Sequence, residues 1–130
     1  MIVLDTNLLA RLLLQDDTEQ YARAKALLKT EQVFGAPVTV FLELVWVLEV
    51  NGIGRAEIRR GIRLLLGLAN FTPPEANAVR HALDAYAQGM DFADALHLAL
   101  SRDDQAMVTF DKAFVRKAAR LKLAPPVSAA

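Results

Sequence analysis

The sequence has no cysteine, no net charge and no long apolar run, and each absence excludes a class of protein. Without cysteine, disulfides and thiolate metal sites are excluded. Lys and Arg number 15, as do Asp and Glu, so no overall positive field attracts nucleic acid and any such binding depends on local patches. No apolar run approaches the ~18 residues of a membrane span, and no basic segment precedes the first strand, so we expect no membrane helix and no signal peptide. We therefore expect a cytoplasmic protein.

Two common catalytic motifs are also missing. Gly52-Ile53-Gly54 lacks the remaining residues of a phosphate-binding fingerprint. Ser101 and Ser128 have no obvious His and acid partners nearby in the sequence, so a hydrolase triad has no support. The acids are therefore the better candidates for chemistry.

The pattern of apolar residues predicts an α/β domain. Short strands are expected at 2–4, 33–34, 68–71 and 107–110, alternating with helices at 8–14, 18–30, 38–50, 56–66, 75–88, 92–102 and 112–120. This alternation is typical of a three-layer α/β/α fold with a central, mostly parallel sheet flanked by helices. We expect a single domain over residues 1–124 and a loose tail over 125–130. Hydrophobic residues make up 54% of the chain, which hints at an extra apolar surface that a partner covers.

Two of the predicted strands end on an aspartate. The first strand runs Ile2-Val3-Leu4, reads as buried on both faces, and is followed by Asp5. The late strand runs through Met107-Val108-Thr109-Phe110 to Asp111. The carboxyl ends of parallel strands form the edge at which α/β sheets bind ligands, so both acids are candidates for a site. Taken singly, each is better explained as a turn or helix-capping residue, and only the set of four acids favours a site.

Two further acids lie inside apolar helices. Glu43 is surrounded by apolar residues in the predicted helix 38–50, where an ionised carboxylate is costly unless it is paired or binds a metal. The alternative is that it faces solvent or pairs with an arginine. Asp94 lies between Ala93 and Ala95, whose small side chains allow a ligand to approach closely. Asp91 either caps this helix, which we favour, or shares a face with Asp94.

Four converging carboxylates would need a cation. Two negative charges about 4 Å apart repel by roughly 4 kcal/mol at an effective dielectric constant near 20. Hard oxygen ligands without cysteine favour Mg²⁺ or Mn²⁺. The candidate metal-binding and catalytic residues are Asp5, Glu43, Asp94 and Asp111.

Several neighbouring residues could assist these acids. Asn7 and Thr109 could support a ligating carboxylate, although ordinary capping is equally expected of them. His97 is expected to be a hydrogen-bonded core residue rather than a ligand. Lys112 and Arg116 follow Asp111 and would suit the backbone phosphates of a nucleic acid, although a basic stripe is usually only a solvated face.

These blocks together resemble a known family. Leu4-Asp5-Thr6-Asn7, Glu43 in an apolar helix, Asp91-Phe92-Ala93-Asp94 and Val108-Thr109-Phe110-Asp111 are similar, in order, to the PIN domain, and more narrowly to the toxin halves of VapBC-type toxin–antitoxin modules. The resemblance implies a Mg²⁺- or Mn²⁺-dependent endoribonuclease that binds metal through Asp5, Glu43, Asp94 and Asp111, with Asn7, Thr109 and Asp91 in support. It also implies a homodimer and a small antitoxin that covers the acid groove.

Other interpretations stay open at this point. A receiver-like phosphoryl-transfer domain has a similar size, but it needs a second acid beside the first-strand aspartate, where this chain has Thr6 and Asn7. A non-catalytic binding module could keep the fold as an interaction surface. An RNA-processing enzyme or a DNA nuclease without an antitoxin would use the same acids.

Overall fold

A computed structural model describes residues 1–130. The chain divides into two compact units, Met1–Ala76 and Asn77–Ala130, which are called unit 1 and unit 2 below. The α/β class is confirmed, because seven helices accompany strands that pair in parallel. The strands form two separate pairs, one in each unit. That the whole of residues 1–124 behaves as one domain stays a prediction.

Unit 1 begins with a strand and is otherwise mainly helical. Its elements are β1 (Ile2–Val3), α1 (Thr6–Leu14), α2 (Thr18–Leu28), β2 (Phe34–Gly35), α3 (Val38–Val50) and α4 (Arg55–Leu66). β1 lies parallel to β2, with Ile2 opposite Phe34. The Leu4 N–H donates to the Gly35 carbonyl at 2.8 Å, which extends the pairing to the residue before Asp5.

The core of unit 1 forms where β2 meets α3. Phe34 and Phe41 are fully buried, and the Phe41 ring packs against Phe71 with 6.4 Å between ring centroids. Phe71 belongs to the predicted strand 68–71, but that prediction was wrong. These residues form a turn that contributes a single bridge, between Phe34 and Phe71. The segment is too short and too tightly turned to continue a ladder.

The prediction that β1 is buried on both faces was also wrong. Leu4 is buried, whereas Ile2 and Val3 are exposed. A run of three apolar residues matches the sequence pattern of a buried strand, but its burial depends on which elements pack against each face. Leu4 turns towards the core as the chain enters α1, which begins at Thr6, two residues earlier than predicted.

Unit 2 contains the remaining helices and the second strand pair. Its elements are α5 (Ala76–Ala87), which begins at the unit boundary, α6 (Phe92–Leu100), β3 (Met107–Thr109), α7 (Lys112–Arg120) and β4 (Val127–Ala129). Tyr86 and Phe92 join α5 to α6 by an edge-to-face ring contact with 5.7 Å between centroids. Gly89 follows α5 with φ of 107°, a conformation that favours glycine, and so ends the helix where the sequence predicts.

The last residues are not a loose tail. β4 pairs in parallel with β3, with Val127 opposite Met107. The Met107 N–H donates to the Pro126 carbonyl, and the Ala130 N–H donates to the Thr109 carbonyl, both at 2.9 Å. Pro125 and Pro126 lack backbone donors, but the residues after them have donors and can extend along β3. The expectation for 125–130 was therefore wrong. No helix in the chain is both long enough and apolar enough to span a bilayer.

Candidate active site

Asp5 is held at the start of α1 by a capping hydrogen bond. Its Oδ1 accepts the backbone N–H of Leu8 at 3.0 Å, so Asp5 is the N-cap of the helix. The capping bond restricts the carboxylate, and no hydrogen bond from the protein occupies its other oxygen. The side chain is exposed and makes no salt bridge. Asp5 therefore has the capping role that its sequence position allows and keeps an oxygen available for a ligand.

Glu43 does not lie in the buried environment that the sequence predicts. The helix α3 buries one side, through Val40, Phe41, Leu44, Val45 and Leu48. Its opposite side is exposed at Thr39, Glu43, Trp46 and Val50. Glu43 is thus solvated and not in an ion pair, so burial does not make its charge costly. The mainly apolar composition of the helix hid this face, although the spacing of 39, 43, 46 and 50 follows one side of a helix.

Asp91 and Asp94 lie at the start of α6 and are linked through the backbone. The Asp91 Oδ2 accepts the backbone N–H of Asp94 at 3.1 Å, which confirms Asp91 as the helix cap. Asp94 is half-buried in the first turn. A carboxylate there is favoured by the positive end of the helix dipole, but a second carboxylate three residues earlier opposes it.

Asp111 occupies the junction between β3 and α7. Its Oδ1 accepts the backbone N–H of Phe114 at 3.1 Å, so it caps α7 as Asp5 caps α1. Thr109 adds a further constraint, because its Oγ1 accepts the backbone N–H of Asp111 at 3.0 Å. Thr109 therefore orients the backbone that carries Asp111. This is a local turn bond to the backbone, and the predicted support of a ligating carboxylate by Thr109 stays a prediction.

The acids of unit 2 disturb one another electrostatically. The pKa of Asp94 is raised above its ordinary value of 3.8, mainly because burial disfavours its charged form and further because Asp91 and Asp111 repel it. None of the three carboxylates has a salt-bridge partner. Asp91, Asp94 and Asp111 are called the unit 2 acid cluster below. The cluster carries excess negative charge that a cation would relieve.

Two nearby basic side chains offset part of this repulsion. His97 and Lys117 both lower the pKa of Asp94, although less than the other influences raise it. The Lys117 Nζ donates to the Gly89 carbonyl at 3.1 Å, which fixes its half-buried amine. The sequence places Lys117 only within a basic stretch, and no local pattern relates it to Asp94, which precedes it by more than a helix. His97 is exposed, so the prediction of a core histidine was wrong.

The remaining candidate residues are all on the surface. Asn7 is exposed and lines a cleft of about 460 Å³ between α1 and α2, together with Leu8, Arg11 and Gln20. Lys112 and Arg116 are exposed on α7 and make no salt bridge. Their ammonium and guanidinium groups are therefore accessible to an anionic ligand.

Comparison with protein families gives one match. Residues 2–120, nearly the whole chain, match the PIN domain. The chain belongs to the PIN domain family. Neither the curated proteins nor the solved structures include a match to it. PIN domains are in general metal-dependent nucleases, that is, hydrolases that act on nucleic acid.

The acids of this PIN domain suit a hard divalent cation in their chemistry. They offer carboxylate oxygens that no ion pair neutralises, which are the ligands that hard divalent cations prefer. No group of three or more His, Asp or Glu side chains is close enough to hold a metal ion. The unit 2 acid cluster is therefore near enough for mutual repulsion without converging on one point. Which carboxylates bind the metal stays a prediction.

Proposed function

We propose that this PIN domain is a Mg²⁺- or Mn²⁺-dependent endoribonuclease that hydrolyses RNA phosphodiester bonds and acts as the toxin of a toxin–antitoxin pair. The observation that carries the nuclease proposal is the unit 2 acid cluster, whose central residue Asp94 has a raised pKa and no salt bridge. Structural acids are normally solvated or paired, whereas Asp94 is half-buried, has no ion pair and is repelled by Asp91 and Asp111. Such an arrangement is costly without a cation and is typical of functional sites.

We propose that four carboxylates bind the metal, namely Asp5, Glu43, Asp94 and Asp111. The N-cap bonds of Asp5 and Asp111 support this assignment, because each restrains one oxygen and leaves the other accessible. Glu43 is exposed and unpaired, so its carboxylate is accessible to a metal ion. Asp91 would support Asp94 by capping its helix, Thr109 would support Asp111, and Asn7 would support Asp5 from the first turn of α1.

The side chains around these acids would position the RNA. A bound divalent cation would supply a water of lowered pKa and would neutralise charge on the phosphate. Lys112 and Arg116 are exposed one to five residues after Asp111 and would hold phosphates of the substrate backbone. Lys117 would lower the pKa of Asp94 and so favour its ionised, metal-binding form.

We further propose that the protein forms a homodimer and binds a small VapB-type antitoxin. The apolar content of 54% supports partners in general, as do exposed apolar side chains on two helices of unit 1, Val50 and Leu64. The choice of these two partners depends on the family resemblance.

The test is cleavage of a mixed cellular RNA pool with Mg²⁺, Mn²⁺ or EDTA by three proteins. These are the wild type, Glu43→Gln and the matched control Glu49→Gln, which removes another exposed acid from the same helix. We expect metal-dependent cleavage by the wild type and by the control. The cleavage rate of Glu43→Gln should fall at least about a hundredfold, because the variant removes the charge of one proposed metal ligand.

Three other outcomes would contradict the proposal or one part of it. Cleavage that persists in EDTA would exclude a metal-dependent nuclease. No cleavage, together with no stabilisation by either metal in thermal unfolding, would indicate a binding module that keeps the PIN fold. Equal activity of Glu43→Gln and Glu49→Gln would leave a nuclease but remove Glu43 from its site.

A further inference from the structure

Two exposed aromatic side chains stand out because of where they lie. The chain has one Trp, two Tyr and six Phe, and of these only Trp46 and Phe110 are exposed. Each is next to a proposed metal-binding acid, one in each unit. A single exposed apolar residue needs no explanation. Both exposed rings neighbour a proposed ligand, however, while the other aromatic side chains are buried or half-buried, which suggests a common use.

Trp46 shares the exposed side of α3 with Glu43. The two residues are three positions apart, so their side chains are neighbours on the helix surface. The Trp46 side chain is 64% exposed, and its indole makes no ring–ring or cation–π contact. The adjacent side chains Glu43 and Glu49 are anionic, so this side of the helix disfavours phosphate. The flat, uncharged indole ring of Trp46 nevertheless stays accessible.

Phe110 lies between Thr109 and Asp111, at the end of β3. Its side chain is 88% exposed, the largest value among the exposed large apolar residues. The bond from the Asp111 N–H to the Thr109 Oγ1 closes a turn across Phe110 and holds its backbone. The exposed cations Lys112 and Arg116 follow within two helical turns. This ring is therefore presented beside both a proposed ligand and accessible positive charge.

We propose that Trp46 and Phe110 are base-stacking residues, each of which binds a nucleobase of the RNA beside its own neighbouring acid. The inference rests on the proposed nuclease function. A nucleobase is uncharged and stacks on any aromatic face, so it can approach Trp46 despite the nearby glutamates. The phosphates then remain for the metal and for the cations of α7. Phe110 would act in the same way beside Asp111.

The first test measures binding without cleavage. Trp46 is the sole tryptophan, so the intrinsic fluorescence of the wild type reports on its indole alone. The wild type in EDTA is titrated with an unlabelled single-stranded RNA oligonucleotide and, separately, with the same sequence as a duplex. We expect saturable quenching by the single strand and little by the duplex, whose bases are already stacked. For Phe110, the double variant Trp46→Phe/Phe110→Trp moves the only indole to position 110, and the same result is expected.

The second test separates stacking from structure through kinetics. We expect Trp46→Ala and Phe110→Ala each to raise KM about tenfold, as expected for one lost base–aromatic contact, with a smaller change in kcat. Trp46→Phe should restore most of the loss, whereas Phe110→Leu should not, because leucine keeps the apolar bulk but lacks an aromatic face. The matched controls are Val33→Ala and Val108→Ala, which truncate side chains that are 48% and 63% exposed, the first just before β2 and the second in β3.

The failures of this inference and of the nuclease proposal can be told apart. Metal-dependent cleavage with unchanged fluorescence and unchanged KM in the alanine variants would overturn base stacking and leave the nuclease. Emission that shifts with protein concentration but not with RNA would also overturn it, since a second copy of the chain would then cover Trp46. Failure of labelled RNA to bind at all, measured by anisotropy, would overturn both.

Discussion

The two units hold their acids in contrasting ways. In unit 1, Asp5 and Glu43 are exposed on separate elements, and water solvates their charge. In unit 2, burial raises the pKa of Asp94, and the carboxylates of Asp91 and Asp111 raise it further. Both groups use helix N-caps to restrain carboxylates. The same N-cap hydrogen bond therefore occurs in acids that are solvated and in acids that lie near other carboxylates. Which case applies depends on the elements that pack around the helix start.

The largest expected effect is on RNA cleavage, and it tests whether the acids of both units belong to the metal site. Asp5→Asn and Asp94→Asn should each reduce metal-dependent RNA cleavage by at least about a hundredfold, since each removes a proposed ligand charge. Asparagine is as good an N-cap as aspartate, so the α1 cap should survive in Asp5→Asn. The control is Asp103→Asn, an exposed loop acid with no proposed role. Wild-type activity for either site variant would remove that unit's acid from the metal site.

A smaller effect is expected on Tm, where the acids of the two units should differ. In metal-free buffer at pH 7, Asp94→Asn should raise Tm by a few degrees, because it removes a charge that burial and two carboxylates disfavour. Asp5→Asn, whose acid is solvated, should leave Tm nearly unchanged. Unfolding followed by circular dichroism measures both.

The sign of the pH dependence follows from the raised pKa. Between 3.8 and the higher folded-state pKa, the native protein keeps a proton on Asp94 that the unfolded chain has lost. The contribution of Asp94 to stability is therefore present below the unfolded pKa and is lost as pH rises through the folded pKa. The Tm advantage of Asp94→Asn should be absent below about pH 3.8 and grow above it. An advantage that is constant with pH would mean that charge is not its cause.

The smallest effect compares two helix caps. Asp5→Ala and Asp91→Ala each remove an N-cap acceptor, which costs typically about 1 kcal/mol, or about 4 °C in Tm for a chain of this size. Asp91→Ala also relieves repulsion on Asp94, so its net loss should be smaller than that of Asp5→Ala. Chemical denaturation in EDTA gives both free energies of unfolding. Equal losses would show that Asp91 caps α6 without disturbing Asp94.

Local patterns were sufficient where the physics is local. Asp91 as a cap and the helix stop at Gly89 were predicted correctly, because capping and left-handed glycine involve only a few consecutive residues. Asp5 and Asp111 fill the capping alternative that their positions after strands allow. The predicted metal-site role of Asp5, Glu43, Asp94 and Asp111 remains to be tested.

Predictions that depended on packing were less successful. Glu43 was expected to be buried because its helix is apolar, yet one side of α3 is left uncovered. His97 was expected in the core for the same reason and lies on the uncovered side of α6. Residues 125–130 were expected to be loose because of two prolines, but β3 offers them unpaired backbone groups. In each case the deciding partner is distant in sequence.

The amino-acid sequence was enough to predict the α/β class and most of the helices, because these depend on the periodicity of apolar residues. It was also enough for the helix caps, which are short-range hydrogen bonds, and for the PIN family, whose motifs occur in order along the chain. Only the tertiary structure decided which side of α3 is exposed, that Asp111 and Lys117 influence Asp94, and that the chain end forms β4. Burial and charge interactions depend on distance in space, and residues far apart in the chain acquire those distances only when the elements pack.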